Sequence, residues 1–275
     1  MVRNMEIMQV LKHNKPVIGM IHLFALPPYK SRDSLQRQYS VEENIAKALK
    51  DLKALEEGGA DAALIENDDD PSDIIYVGGQ QFESMLKITD AVVKEAKIPI
   101  GVNVLRNDWA ASFLIAKKTG CKFIRLDNFV DKVKMAGKIV EENPAQIAKF
   151  REKIDAQNIL FLTDVHVKHA ELLESKSITE SVKQAIQFGA DGVIITGRKT
   201  GEAPNTGDLK EAKLASEYIP VLIGSGLNHN NYNELLHQSD GAIVGTALKT
   251  GQYVDLQKVR NIVKLRHSDG FSQSK

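Results

Sequence analysis

Short, almost wholly apolar runs alternate along the chain with longer stretches in which apolar residues recur at helical spacing. The runs occupy 17–21, 62–65, 98–104, 123–126, 159–163, 192–196, 221–224 and 242–245. A strand that is apolar at nearly every position is buried on both faces, as in a parallel sheet covered by helices. The intervening stretches carry helix-start signals. Ser40 with Glu43 forms a capping box before Val41, Ile45, Leu49, Leu52 and Leu55, and Ser177 with Glu180 repeats it before Val182 and Ile186. Asn143 precedes Pro144 and then Ile147, Phe150 and Ile154, a cap followed by proline at the first helical position. Asp208 and Asp255 are the expected caps of the sixth and eighth helices.

The strands are entered in two ways. Strands one, three and seven open on proline (Lys15-Pro16, Ile98-Pro99, Ile219-Pro220), whose missing N–H is harmless at a strand's first position. Strands two, four, six and eight follow turns: Gly59-Ala60-Asp61, Gly120-Cys121-Lys122, Gly189-Ala190-Asp191 and Ser239-Asp240-Gly241. Glycine at such a point takes the left-handed conformation that closes a helix. Eight strand–helix units over about 250 residues predict an α/β fold of the closed (β/α)8 TIM barrel class, a single domain. The expected organisation is a lead-in over 1–14, the barrel over 15–267 and a disordered tail over 268–275. An open doubly wound sheet would want a glycine-rich turn after its first strand, and His22-Leu23-Phe24-Ala25 is not one.

Composition adds limits. A hydrophobic share of 43% and a charged share of 26% suit a large folded core. Lys plus Arg (36) balances Asp plus Glu (36), so no global field attracts nucleic acid or an anionic membrane. Cys121, the one cysteine, rules out an intrachain disulfide and fits a reducing compartment. Met1 to Asn14 lacks the apolar core of a signal peptide, and no apolar run reaches the roughly 20 residues that span a bilayer. The expectation is a cytoplasmic protein.

In this fold the working residues lie at the C-terminal ends of the strands. Reading those ends in order gives His22, Glu66 with Asn67, Asn103 with Arg106 and Asp108, and Arg125 with Asp127. They continue with Asp164, His166, Lys168 and His169, then Thr196 and Gly197 with Arg198 and Thr200, Ser225 and Thr246. Polar groups at nearly every exit of otherwise apolar strands point to a functional site. Gly224-Ser225-Gly226 and Gly245-Thr246-Ala247 follow strands seven and eight, where this fold commonly holds phosphate on backbone N–H groups. The alternative is that these glycines only make tight turns.

The densest run is Asp164-Val165-His166-Val167-Lys168-His169. Strand alternation would set Asp164 and His166 on one side, a carboxylate orienting an imidazole for proton transfer. Lys168, if desolvated, suits a Schiff base or an electrostatic clamp. Glu66, Asp164, His166 and His169, with His22, could also gather a divalent metal, although their spacing does not specify one. No other cofactor is implied. Asp68-Asp69-Asp70 reads as a solvated loop, and Trp109 as a packing residue.

The chain also resembles the BtpA/SgcQ family, from about Pro16 to Gly251. The likeness rests on Gly19-Met20-Ile21-His22 with Leu26-Pro27, Glu66-Asn67, the stretch from Gly101 to Asp108, and Phe123-Ile124-Arg125. It also rests on Asp164-Val165-His166-Val167-Lys168-His169-Ala170, Thr196-Gly197 with Thr200-Gly201, and Gly224-Ser225-Gly226. The resemblance implies a TIM barrel of undefined chemistry, in a family named for photosystem I biogenesis with other members beside sugar-metabolism genes. This chain departs from the family pattern after Asn67, where it is unusually acidic, and after Arg125, where an Asp-Gln-Gly stretch is missing.

Three functions are compatible with these residues. The first is an enzyme acting on a small phosphorylated metabolite, a sugar phosphate or nucleotide-derived sugar, as isomerase, lyase or glycosidic hydrolase. In it Asp164, His166, Lys168, Glu66, Arg125 and Asn103 would be catalytic, and Gly224, Ser225, Gly226, Gly245, Thr246, Thr196, Gly197, Arg106 and His22 would bind substrate or phosphate. The second is a non-catalytic assembly factor for a membrane complex, and the third a metal-dependent hydrolase. The expected partners are a small anionic metabolite and further copies of the chain, with no nucleic acid and no membrane insertion.

Overall fold

The computed structural model describes residues 15–32 and 36–268, so the predicted lead-in and nearly all of the predicted tail lie outside the described residues. Eight parallel strands close into a barrel: β1 (Val17–His22), β2 (Ala62–Glu66), β3 (Ile100–Asn103), β4 (Phe123–Leu126), β7 (Leu160–Val165), β9 (Gly192–Ile195), β10 (Val221–Ile223) and β11 (Gly241–Val244). β1 pairs with both β2 and β11, which shuts the ring. Outside it lie α1 (Val41–Gly58), α2 (Gly79–Glu95), α3 (Trp109–Thr119), α4 (Pro144–Lys153), α5 (Ile178–Gln187), α6 (Thr206–Ala215), α7 (Tyr232–His237) and α8 (Leu256–Ser268). The (β/α)8 barrel read from the sequence is the fold of the chain.

The strand alternation sorts the core into two parts. Ile18, Met20, Ala62, Leu64, Phe123, Leu160, Leu162, Ile194, Leu222 and Ile243 pack together inside the ring. Their neighbours of opposite parity, among them Val17, Ile21, Ala63, Ile65, Ile124, Phe161 and Val193, pack outward against the helices. Gly101 belongs to the inward set, because a Cβ there would stand 2.2 Å from the Phe123 ring. Continuing each inward row by one step gives His22, Glu66, Asn103, Arg125, Asp164, Thr196, Gly224 and Gly245. The period of two that fills the barrel therefore also delivers polar groups to its C-terminal end.

The two styles of strand entry interlock at the opposite end. The carbonyls of Pro16, Pro99 and Pro220 accept from Ala242, Ala63 and Val193 of the neighbouring strands at 2.9–3.0 Å. In return the turn aspartates cap odd strands: Asp61 Oδ2 accepts from Val17 N (2.7 Å), Asp191 Oδ2 from Phe161 N (2.9 Å) and Asp240 Oδ2 from Val221 N (2.8 Å). A cation from a flanking helix completes each cap, Arg266, Arg151 and Lys213 respectively.

The capping boxes at Ser40–Glu43 and Ser177–Glu180 form, and Asn143 caps α4 through Gln146 N at 3.1 Å. Asp255 accepts from Gln257 N and Lys258 N at the start of α8, as expected. Asp208 does not cap α6: Asn205, three residues earlier, accepts from Gly207 N at 2.7 Å and starts the helix sooner. The acidic run is not a solvated loop either. Asp70 is 3% exposed and accepts from Leu26 N (2.7 Å), Asn67 (2.8 Å) and Gln81 (2.8 Å), while Asp69 takes Arg32 N at 3.0 Å. Trp109 packs edge-on against Phe150 and donates to Glu142 at 3.0 Å.

A flap was not foreseen in the sequence. β5 (Val133–Met135) and β6 (Lys138–Val140) form a hairpin turning at Ala136 and Gly137, both at positive φ, and β8 (Ala170–Leu172) joins it as a third strand. Val133, Met135, Val140, Val167 and Ile75 form its own small core. The last described pair of strands, β12 (Lys249–Thr250) and β13 (Tyr253–Val254), follows the 3-10 turn Thr246–Leu248.

Asp191→Ala is expected to cost about 3–5 kcal/mol, because it leaves the buried Arg151 guanidinium (6% exposed) without its counter-charge and Phe161 N without its acceptor. Urea unfolding measures this. A loss under about 1 kcal/mol would show that the entry caps are ornamental.

Candidate active site

The inward rows end in a cavity of about 440 Å³ at the C-terminal end of the barrel. Its floor is Met20, His22, Glu66, Arg125 and Gly224, and its wall carries Asp68, Arg106, Asp127, Lys168, Ser225, Gly226, Gly245 and Thr246. Met135 and Ala136 of the flap overhang it, and Arg32, His169, Thr200 and Gly201 close the rim.

Arg125 organises the floor. Its Nε and Nη2 donate to Asp164 Oδ1 and Oδ2 at 2.9 and 2.8 Å, a bidentate pair with both side chains almost fully buried. Glu66 Oε2 lies 4.0 Å from Nη1, and Asp127 Oδ1 4.0 Å from Nε. Burial opposes the guanidinium's charge, and the bidentate Asp164 outweighs it, so Arg125 is held above its ordinary range. Asn103 Nδ2 bridges Glu66 (2.9 Å) and Asp127 (3.0 Å), fixing the two carboxylates relative to each other. Gly224 leaves space opposite: a Cβ there would stand 3.6 Å from Arg125 Nη2 and would collide with Ile194 and Thr196.

Glu66 and His22 are set apart from ordinary groups of their kind. Burial, with Asp127 and Asp68 as like charges and Arg125 opposing, pushes the Glu66 carboxyl up to about 7. Burial, followed by the charge of Lys249, pushes the His22 imidazole down to about 3, so it is neutral at physiological pH. His22 Nε2 and Glu66 Oε1 are 3.8 Å apart, beyond hydrogen-bond reach, and both line the cavity. A buried acid poised near neutrality beside a neutral imidazole can move a proton and polarise an oxygen.

The structure separates Asp164 from His166. Asp164 is spent on Arg125, and His166, at φ 51, turns the chain out of the strand alternation directly after Val165. The pairing expected from alternation therefore does not form. His166 N donates to Asp131 at 3.1 Å, its Nε2 is buried without a partner among the described residues, and it does not line the cavity. His169 reaches the rim, where its Nε2 accepts from Thr200 N at 3.1 Å. Glu66, Asp164, His166 and His169 do not converge as metal ligands: among the described residues no cluster of three or more His, Cys, Asp or Glu could hold a metal ion.

Several loop residues do structural work that the sequence did not reveal. Ser225 Oγ accepts from Gly197 N and donates to Glu202 O, both at 2.8 Å, locking the loops after β9 and β10 together. Gly226, at φ 70, lies so close to Glu202 and Ala203 that a Cβ would stand 2.2 Å from their backbone. Thr196 Oγ1 takes Lys168 N at 3.1 Å and aligns the loop after β7. Asp68 and Lys249 were missed as site residues. The first was hidden in an acidic run, and the second lies beyond the eighth strand end with no motif around it.

The chain belongs to the BtpA family, whose family model matches residues 13–268. An uncharacterised protein of Archaeoglobus fulgidus is 37% identical over 251 residues, covering 91% of this chain and 98% of the relative. The photosystem I biogenesis protein BtpA of Synechocystis sp. is 33% identical over 247 residues, covering 89% of this chain and 84% of that protein. Among solved structures, N-(5'-phosphoribosyl)anthranilate isomerase of Pyrococcus furiosus matches with a TM-score of 0.54 at 15% identity, covering 92% of this chain and 99% of that one. Thiamine phosphate pyrophosphorylase of the same organism matches at 0.57 and 16%, covering 98% of each chain. These two share the barrel fold. Among the described residues no helix is long and apolar enough to cross a membrane.

The raised carboxyl predicts a pH signature in stability. Below about 4.5 Glu66 is protonated folded or unfolded; above it the unfolded chain ionises while the folded one holds its proton until about 7. Stability therefore falls as pH rises across that window, by up to about 3 kcal/mol at about 1.4 kcal/mol per pH unit. Glu66→Gln removes this dependence, so its stability gain over the wild type is expected to be larger at pH 8 than at pH 5. Equal gains in urea unfolding at the two pH values would contradict the assignment.

Proposed function

We propose that this member of the BtpA family is an enzyme that transfers a proton on a small phosphorylated metabolite, a sugar phosphate or nucleotide-derived sugar. The observation that carries the reading is Glu66, a carboxyl raised to about 7 on the floor of an open cavity. A structural carboxylate gains nothing from such a position, since its desolvation costs stability. A general base or acid gains the most from it.

The charge balance supports an anionic ligand. Arg125 is committed to Asp164, but Arg106 and Lys168 line the cavity without an ion pair or side-chain hydrogen bond among the described residues. The glycines at 224, 226 and 245 bring backbone to the cavity surface, and the N–H groups that open the 3-10 turn Thr246–Leu248 have no intrahelical acceptor. Phosphate would lie between these loops and the two cations. In this assignment Glu66 carries the proton, Asn103 orients it, Arg125 with Asp164 holds the floor, and Lys168 and Arg106 hold the anion. His166 has no catalytic part in it.

A second reading, an assembly factor, draws on Ile139 on one edge strand of the flap at 65% exposed and Leu173 just past the other edge strand at 38%, together with the name of the Synechocystis relative. It requires those apolar positions and leaves Glu66 dispensable.

A panel of aldose, ketose and nucleoside-derived sugar phosphates, followed by calorimetry and NMR turnover, separates the readings. Lys168→Met and Arg106→Met are expected to weaken binding about tenfold each. Glu66→Gln should keep binding and lower turnover by about 10²–10⁴-fold. With Glu66 as proton acceptor, kcat/KM rises with pH to a plateau above about 7. A panel that neither binds nor reacts, or a Glu66→Gln protein that turns over normally, sinks the enzymatic reading.

A further inference from the structure

Lys249 lies four residues past the last inward glycine, yet its ammonium Nζ sits against His22 Nδ1. The placement is built. The 3-10 turn Thr246–Leu248 reverses the chain after β11, and Asp255 N returns to Leu248 O at 2.8 Å. Lys249 then pairs with Val254, whose N–H donates to Asp51 Oδ1 of α1 at 2.9 Å. Asp51 in turn is held by Lys47, one turn earlier on the same helix and buried with it. Gly245 clears the ring from the other side: a Cβ there would stand 3.3 Å from His22 Cε1.

The chemistry of this contact decides the state of the imidazole. An ammonium offers only donors, so Nδ1 must accept. A ring nitrogen that accepts carries no proton, and the single proton of the neutral ring therefore sits on Nε2. Nε2 is the atom 3.8 Å from Glu66 Oε1, too far to bond it, so both remain available to a third group in the cavity. The charged groups facing His22 are Glu66 and Asp68 from β2 and the loop after it, Lys168 from the loop after β7, Lys47 from α1, and Lys249. Burial brings Lys249 down to about 8, so it is still mainly an ammonium at neutral pH.

The geometry points to Lys249 as a positioning residue that fixes His22 as a neutral Nε2–H donor, making His22 and Glu66 an electrophile–base pair for a phosphorylated α-hydroxy aldehyde or ketone. This rests on the enzymatic reading above and narrows its substrate class. Glu66 takes a proton from the carbon next to the carbonyl. The C–H electron pair forms a carbon–carbon double bond, and the carbonyl π pair moves onto oxygen, where the His22 Nε2–H hydrogen-bonds the developing enolate. The proton of the neighbouring hydroxyl passes to the former carbonyl oxygen by way of His22 Nε2, which moves the negative charge to the other oxygen of the enediolate. The pair on that oxygen then forms the new carbonyl while the carbon–carbon π pair takes the proton from Glu66 at the former carbonyl carbon. One carbon is oxidised as its neighbour is reduced, and no external oxidant or reductant is consumed. A neutral imidazole donates here without the desolvation cost of an imidazolium.

Nitrogen-15 and carbon-13 NMR of histidine-labelled protein reads the tautomer directly, with His22→Gln assigning the signal. The wild type is expected to show the Nε2–H form with no titration of His22 between pH 4.5 and 7.5. Lys249→Met should mix the two tautomers and raise the apparent pKa of His22 by about one pH unit or more, since a nearby cation and the Nδ1 donor are lost together. Lys249→Arg, which keeps a donor and a charge, should restore the wild-type spectrum and controls for misfolding. An Nδ1–H wild type, a His22 that titrates near 6.5, or an unchanged Lys249→Met spectrum overturns the role of Lys249 whatever the protein catalyses. In a separate arm, wild type in D2O is given the aldose and ketose phosphates and deuterium at the carbon next to the carbonyl is measured. Incorporation supports the pair. With the tautomer confirmed, no incorporation overturns the carbonyl chemistry while leaving the positioning by Lys249 intact.

Discussion

A single guanidinium sits beneath the whole mouth of the barrel. Arg125 binds Asp164 with two hydrogen bonds and lies 4.0 Å from both Glu66 and Asp127. Three carboxylates this deeply buried could not be accommodated without it, because each would lose its hydration and repel the others. Arg125 satisfies one completely and the other two partly. That gradation gives them different characters: Asp164 becomes a fixed counterion, while Glu66, farther from the charge, is pushed up to about 7. Lysine could not do the same, since only the planar fork reaches Asp164 with two parallel bonds and keeps Nη1 toward Glu66.

The neutral half of the floor has the opposite logic. His22 is crowded by Lys249 and Lys47 and by low-dielectric burial, so it stays uncharged. The site thus sets a carboxyl raised toward neutrality and an uncharged imidazole 3.8 Å apart. Around them the wall carries both signs, Asp68 and Asp127 beside Arg106 and Lys168, and the two cations have no ion pair among the described residues. Loops after β7, β9 and β10 are tied to one another through Thr196, Ser225 and the close approach at Gly226, so the wall is a bonded assembly. Above it, the flap of β5, β6 and β8 brings Met135 and Ala136 over the opening.

How much of this could be read in advance follows from the range of the forces involved. Strand positions were legible because burial on both faces leaves an apolar run that needs no knowledge of partners. The alternating proline and Gly-Asp entries were visible as a pattern, but their reason, a carbonyl and a carboxylate exchanged between adjacent strands, appears only with the strands side by side. The flap was overlooked because three strands of three residues each carry too little periodicity, and its turn at Ala136-Gly137 lacks the usual asparagine. The cap of the sixth helix is Asn205 where the sequence suggests Asp208, because either residue type caps a helix and only the backbone decides which one does.

The sequence by itself determined the barrel, the order of its strands and helices, and the polar residues that end the inward strand rows, since all three follow from local periodicity and from where apolar runs stop. It did not determine who pairs with whom. Asp164 and His166 are two residues apart in sequence and do not pair, because the left-handed backbone at His166 ends the alternation and Arg125, 39 residues away, takes the carboxylate. His22 and Lys249 are 227 residues apart and meet only because the ring closes β11 against β1. Protonation states depend on burial and on charges within a few ångströms, and those distances exist only once the barrel has closed.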